Sequence, residues 1–145
     1  MDRRNFLNTM GLTGAALFAT YCLGGCTKKE DDVTPDLPAT GLSLDLNTAQ
    51  YAGLKNNGSF VVLANEKIVV ARTNAGLYVA VTRICSHEQQ EQVSYFTSPE
   101  RFECGAHGAQ FNTNGGGLNS NGSKGLRTYK TEINPTGDTL KILNS

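Results

Sequence analysis

The chain has only two histidines, and each closely follows a cysteine: Cys85-x-His87, then Cys104-x-x-His107. Thiolate sulfur and imidazole nitrogen are the donors that zinc and iron–sulfur centres take. With one or two residues between them, one tight turn can aim both donors at a single ion or cluster. Sixteen residues separate His87 from Cys104, so two such turns can grip one object. Two occupants satisfy a set of two sulfurs and two nitrogens. One is a tetrahedral Cys2His2 zinc. The other is a [2Fe–2S] cluster with two cysteines on one iron and two histidines on the other. Zinc fingers usually place both cysteines before both histidines. The alternating order here lets each turn give one ligand to each iron, which fits the cluster better. A Cys85–Cys104 disulfide is the bland reading for an exported chain, and it leaves the histidines unexplained.

The segment resembles the Rieske family, whose pattern is C-x-H, a spacer, then C-x-x-H-G. Cys85-Ser86-His87 and Cys104-Gly105-Ala106-His107-Gly108 match it. The flanks "GLYVAVTRICSH", "GAQFNTNGG" and "LRTYKTEI" with "DTLKIL" are similar to the strands around the family's cluster loops. The resemblance covers about residues 41 to 145. It implies an all-β fold of antiparallel sheets, sandwich or open barrel, with the cluster-binding subdomain inserted at about residues 84 to 124. It implies a [2Fe–2S] cofactor held by Cys85, His87, Cys104 and His107. The cysteines would lie on the buried side and the histidines near the surface, where an electron can leave.

Departures from the family pattern set further expectations. High-potential relatives carry an extra cysteine in each loop, joined as a disulfide; the matching positions here are Gln90 and Ala106. The serine and tyrosine whose hydroxyls donate to sulfur are matched by Ala109 and Phe111. Hydrogen bonds to the sulfurs stabilise the more negative, reduced state, so a low potential is expected. A third loop normally covers the cluster and often carries Gly-Pro. The candidate, Gly115 to Gly125, has no proline, and a flexible surface loop and a looser cover both remain open. Glu88, Glu91, Glu100 and Glu103 crowd the motif. They read either as a docking face for a basic redox partner or as a solvated surface.

The elements that must position these residues are short and β-like. "LSLDL" alternates, and "FVVLA" and "KIVVART" are β-branched runs split at Asn65-Glu66. "LYVAVTRI" follows a turn at Asn74-Ala75-Gly76, and "LRTYKTEI", "NPTGD" and "TLKIL" read as a closing hairpin. Sixteen glycines, no tryptophan and few amphipathic runs agree with strands joined by tight turns. Acids and bases balance at 13 each, unlike a basic nucleic-acid binder.

The N-terminus reads as an export signal over residues 1–25, with a basic start, an apolar run and small residues before Cys26. The apolar part, Met10 to Gly25, falls short of the ~20 residues a spanning helix needs. Leu23-Gly24-Gly25-Cys26 resembles a lipobox, which implies cleavage before Cys26 and lipidation of its thiol, anchoring the chain to a bacterial membrane at ~0.8 kcal/mol per buried methylene. Arg3-Arg4-Asn5-Phe6-Leu7 resembles the twin-arginine motif, which exports proteins already folded around a cofactor. Cys22 leaves with the signal. Residues 26–40 read as a solvated tether.

The expected function is one-electron transfer to or from a redox partner protein, as a carrier or as the small subunit of an exported oxidoreductase. An oxygenase needs a second iron with its own histidines, and this chain has none left. No nucleic acid and no small-molecule substrate of its own are expected. The rival class is a non-redox binding module held by zinc or by the disulfide.

Overall fold

The structure, a computed structural model, describes residues 34–145. The export signal, Cys22, Cys26 and the start of the tether lie outside the described residues. Strands form where β-branched and aromatic residues cluster between turn residues. They are β1 (Leu42–Asp45), β2 (Phe60–Leu63), β3 (Ile68–Arg72), β4 (Tyr78–Thr82), β5 (Val93–Thr97), β6 (Glu100–Cys104), β7 (Gln110–Phe111), β8 (Thr128–Ile133) and β9 (Thr139–Asn144). A 3-10 turn spans Ala52–Lys55. Among the described residues no helix is long and apolar enough to cross a membrane.

Six strands make one antiparallel sheet in the order β1-β9-β8-β4-β3-β2, and β5-β6-β7 make a second. The curled antiparallel sheets form a half-barrel, so the all-β expectation holds. The second sheet falls between β4 and β8 in the chain, within the segment that carries both Cys-His pairs.

The strand β3 explains why two sheets share one body. Its sequence, IVVAR, is buried at every position but the last. Successive side chains point to opposite faces of a strand. Ile68 and Val70 therefore enter one core, with Leu44, Leu54, Leu140 and Ile142. Val69 and Ala71 enter the other, with Val81, Val93, Phe102 and Phe111. A strand buried on both faces reads as a continuous apolar run rather than an alternation. Cys85 and Cys104 belong to this second core.

The far end of the small sheet is fastened to the large one by polar contacts. Glu100 Oε1 accepts from the Asn74 backbone N–H at 2.6 Å and from the Tyr95 hydroxyl at 2.5 Å. Asn74 Nδ2 donates to the Thr97 carbonyl at 2.9 Å. Tyr95 also lies against Phe60 and Phe102, with ring centroids 6.1 and 5.3 Å away. The β3–β4 turn and the β5–β6 hairpin are thereby held together, leaving the opposite end of the small sheet to the Cys-His loops.

The tether reading needs correction at its C-terminal end. Leu37 is 7 % exposed and joins the first core. Its N–H and C=O bond to the Asn144 side chain at 3.0 and 2.8 Å, and Asp36 pairs with Arg127. A lone leucine in a polar run has no hydrophobic period, so its burial is invisible until β9 is placed beside it.

The Tyr95 phenol carries a pH expectation. Burial first, and Glu100 second, push its pKa well above the ordinary value of 10.0. The folded state thus holds the phenol proton more tightly than the unfolded chain does. That stability is fully present below pH ~10 and is lost as pH rises from there towards the folded-state value. Tyr95→Phe should cost about 1 kcal/mol at neutral pH and flatten the alkaline loss. Denaturant melts at about pH 7 and about pH 11 check both effects.

Candidate metal centre

Two loops at one end of the small sheet carry the four donors, and they are built alike. In the first, between β4 and β5, the Cys85 N–H donates to Gln90 O at 2.9 Å, and the Gln89 N–H donates to Cys85 O at 2.9 Å. In the second, between β6 and β7, the Cys104 N–H donates to Ala109 O at 2.9 Å, and the Gly108 N–H donates to Cys104 O at 3.0 Å. Each loop thus closes back on its own cysteine. Each also needs a left-handed residue four positions on: Gln89 at φ 57° and Gly108 at φ 65°. Glycine takes that conformation without steric cost, whereas Gln89 adopts it with a side chain. The histidine is the second residue after the cysteine in one loop and the third in the other.

The sheet brings the loops together. Val93, just after the first loop, pairs with Cys104, and the Gly105 N–H donates to Gln92 O at 3.0 Å. On the large-sheet side, Lys67 O accepts the Arg83 N–H at 2.7 Å, and Lys67 Nζ pairs with Glu91 at 2.6 Å.

The donors sort by depth. Cys85 and Cys104 are 1 % and 0 % exposed, and no disulfide joins them. The side chains of His87 and His107 are 31 % and 43 % exposed. The two imidazoles stand edge to face with centroids 5.4 Å apart.

The electrostatics fit a bound cation or cluster. Burial pushes the Cys85 thiol up. The backbone N–H groups of His87 and Glu88 aim at its sulfur and pull it down, while the facing Cys104 sulfur pushes it up again. Two facing thiolates in a dry core repel, and positive metal between them removes that penalty. His87 Nδ1 is buried with no hydrogen-bond partner. A buried orphan nitrogen beside two buried thiols needs an explanation, and a metal ligand is one. Ser86 Oγ and Arg83 Nε, on either side of Cys85, are also buried without partners.

The four acids do not make a free acidic face. Glu91 is paired with Lys67, and Glu103 with Arg101 at 2.7 Å. Glu100 holds Tyr95 and Asn74. Glu88 instead reaches over the histidines. Its carboxylate lies 3.3 Å from His107 Nε2 and 4.0 Å from His87 Nδ1. One ligand atom from each of the three residues lies within 4.8 Å of the others. Charge patterning alone does not distinguish Glu88 from its acidic neighbours; only the turn after His87 does.

The glycine-rich segment between β7 and β8 packs backbone on backbone. A Cβ at Gly122 would meet Gln110 O at 2.3 Å, and one at Gly117 would meet Gly122 O at 2.2 Å. This close packing sets Gly115 to Gly125 against β7. The segment's asparagines, which the sequence reading passed over, touch the second loop directly. Asn119 Nδ2 donates to Gly108 O and Asn121 Nδ2 to His107 O. The run "LNSNG" is the only sequence signal for them, and it reads equally well as a plain turn.

A family model described as the Rieske [2Fe-2S] domain matches residues 46–130. No curated protein matches the chain. Among solved structures it is similar to the cyanobacterial plasma membrane Rieske protein PetC3 from Synechocystis PCC 6803. There the TM-score is 0.54 at 24% identity, covering 70% of this chain and 97% of that one. It is also similar to the quaternary ammonium Rieske monooxygenase CntA, with a TM-score of 0.51 at 16% identity, covering 73% of this chain and 32% of that one. At these identities the likeness shows a shared fold. With the family match spanning more than half of its residues, the chain belongs to the Rieske [2Fe-2S] domain family and is an electron-transfer protein that carries a [2Fe–2S] cluster.

Proposed function

We propose that Cys85 and Cys104 hold one iron of the cluster and that His87 and His107 hold the other. The single observation that carries this is the sorting of donors by depth, with two facing thiols inside and two adjacent imidazoles outside. When bound, the cluster supplies a one-electron couple. The protein's own residues keep water from the sulfurs, aim two amides at Cys85 and leave the imidazole edges exposed for an electron to pass to a partner protein.

The proposed potential lies in the lower part of the roughly −150 to +300 mV range of such centres. Ala109 and Phe111 are both fully buried beside the cysteines and bring no hydroxyl. The Glu88 carboxylate beside His107 places negative charge where the reduced state is already more negative. Both histidines are taken by the cluster in this reading, so the chain is a carrier, or the small subunit of an exported oxidoreductase, rather than a complete enzyme. The twin-arginine-like start supports export of a folded, cofactor-loaded protein. The lipobox supports anchoring through Cys26 on the outer side of a bacterial membrane, and one fold relative is described as a plasma membrane protein.

Full-length chain made with iron–sulfur assembly intact should be brown. After dithionite reduction it should give the rhombic EPR signal of mixed His/Cys ligation, with an average g below the free-electron value. Cys85→Ala or His107→Ala should abolish that signal. A colourless protein with one equivalent of zinc, or one with no free thiols, would overturn the reading in favour of a binding module. Redox titration of Ala109→Ser and Phe111→Tyr should show upward shifts. One added hydrogen bond of about 1 kcal/mol corresponds to roughly 40 mV for one electron. Glu88→Gln should move the potential in the same direction. Cys26→Ala should abolish incorporation of labelled fatty acid into the protein while leaving the EPR signal of the folded part unchanged.

A further inference from the structure

His107, the more exposed of the two ligand histidines proposed above, sits at the least sterically constrained point of its loop. Gly108 follows it at φ 65°, and a Cβ there would meet nothing within 4 Å. Packing therefore does not hold this turn, and glycine by itself leaves it free to rearrange. Besides the loop's own two bonds to the Cys104 backbone, what holds it is hydrogen bonding from the segment between β7 and β8. The carbonyls on either side of Gly108 are each taken by an asparagine amide: His107 O by Asn121 Nδ2 at 2.8 Å, and Gly108 O by Asn119 Nδ2 at 2.7 Å. Asn119 uses its oxygen as well, accepting from Gln110 N at 3.1 Å and from Gly122 N at 2.9 Å. The Leu118 N–H closes the contact on Gln110 O at 2.8 Å.

We propose that Asn119 and Asn121 form an amide clamp that positions His107 and retains the cluster. This rests on the assignment of His107 as a ligand. With both peptide planes after His107 pinned, the imidazole has its direction set from the main chain, and the loop cannot peel from the metal without breaking several hydrogen bonds together. The hydrogen bonds of Asn119 and Asn121 go to backbone atoms, not to sulfur or imidazole. They are positioning residues.

The test is the rate of cluster release from full-length holoprotein into an iron chelator, followed by visible absorbance. Asn119→Ala should release the cluster roughly tenfold faster or more, since it removes three hydrogen bonds of about 1 kcal/mol each. Asn119→Asp and Asn121→Asp, close in shape, should each accelerate release and broaden the EPR signal. They replace the donor to Gly108 O or His107 O by a charged acceptor, and Asn119→Asp keeps the oxygen that takes the Gln110 and Gly122 amides. Asn144→Ala is the control. Asn144 makes the same kind of two-sided amide contact, but to Leu37. Its loss should lower the melting temperature and leave release unchanged. Wild-type release rates in both Asp variants, or equal acceleration by Asn144→Ala, would overturn the clamp. Amide hydrogen exchange of Gln110, whose N–H is taken by the Asn119 side chain, separates this in the cluster-free chain from failure of the ligand assignment. Slow exchange that turns fast in Asn119→Ala supports the clamp even if no cluster loads, and fast exchange in the wild type sinks it even if one does.

Discussion

Two buried sulfurs facing each other are the constraint on which the rest of this structure depends. Cys85 and Cys104 are almost wholly shielded from water, and burial and mutual proximity both oppose thiolate formation at Cys85. Without a cation between them, burial and proximity keep such a pair protonated. The backbone turns amides of His87 and Glu88 towards the Cys85 sulfur and leaves the buried His87 Nδ1 unpartnered, which supports reading the pair as half of a binding site. The loops achieve this by one repeated device, in which each closes on its own cysteine through a left-handed residue.

Those loops need a rigid base, and the second core provides it. The doubly buried strand β3 sends alternate residues into two cores, so the large sheet shields the small one without a separate connecting layer. Val93 pairs with Cys104 across β5 and β6, which fixes the register of one loop's end against the other's start. A one-residue slip would turn Cys104 to the opposite face. Polar contacts at Asn74 and Glu100 secure the far end of the hairpin, so each end of the small sheet is tied down.

The outer side of the centre is arranged differently. His87 and His107 are partly exposed, and Glu88 lies across them. Lys67 braces the first loop through Glu91 and the Arg83 amide, while an asparagine-bearing segment braces the second. Supports on both sides keep reorganisation small when charge changes, which suits a centre that passes electrons.

Much of this was legible in the residues themselves. The two Cys-His pairs and their flanks carry the family, because chelating turns have a spacing that chemistry dictates. The β-branched runs at 60–63, 68–72 and 78–82 declare themselves as strands, since a strand's period of two and its residue preferences are local properties. The hairpin of β5 and β6 was less visible: "VSYFT" and "ERFEC" mix exposed and buried positions around Ser98-Pro99. What the tertiary structure alone decided was which polar residues meet. Glu88 differs from Glu91, Glu100 and Glu103 only by where its turn points it. Leu37 is core rather than tether because β9 presents Asn144 to it. Asn119 and Asn121 face the second loop because the chain returns there after β7. Donor type and spacing along the chain are written in the sequence. Contacts between residues far apart in it depend on how the sheets close, and no local pattern records that.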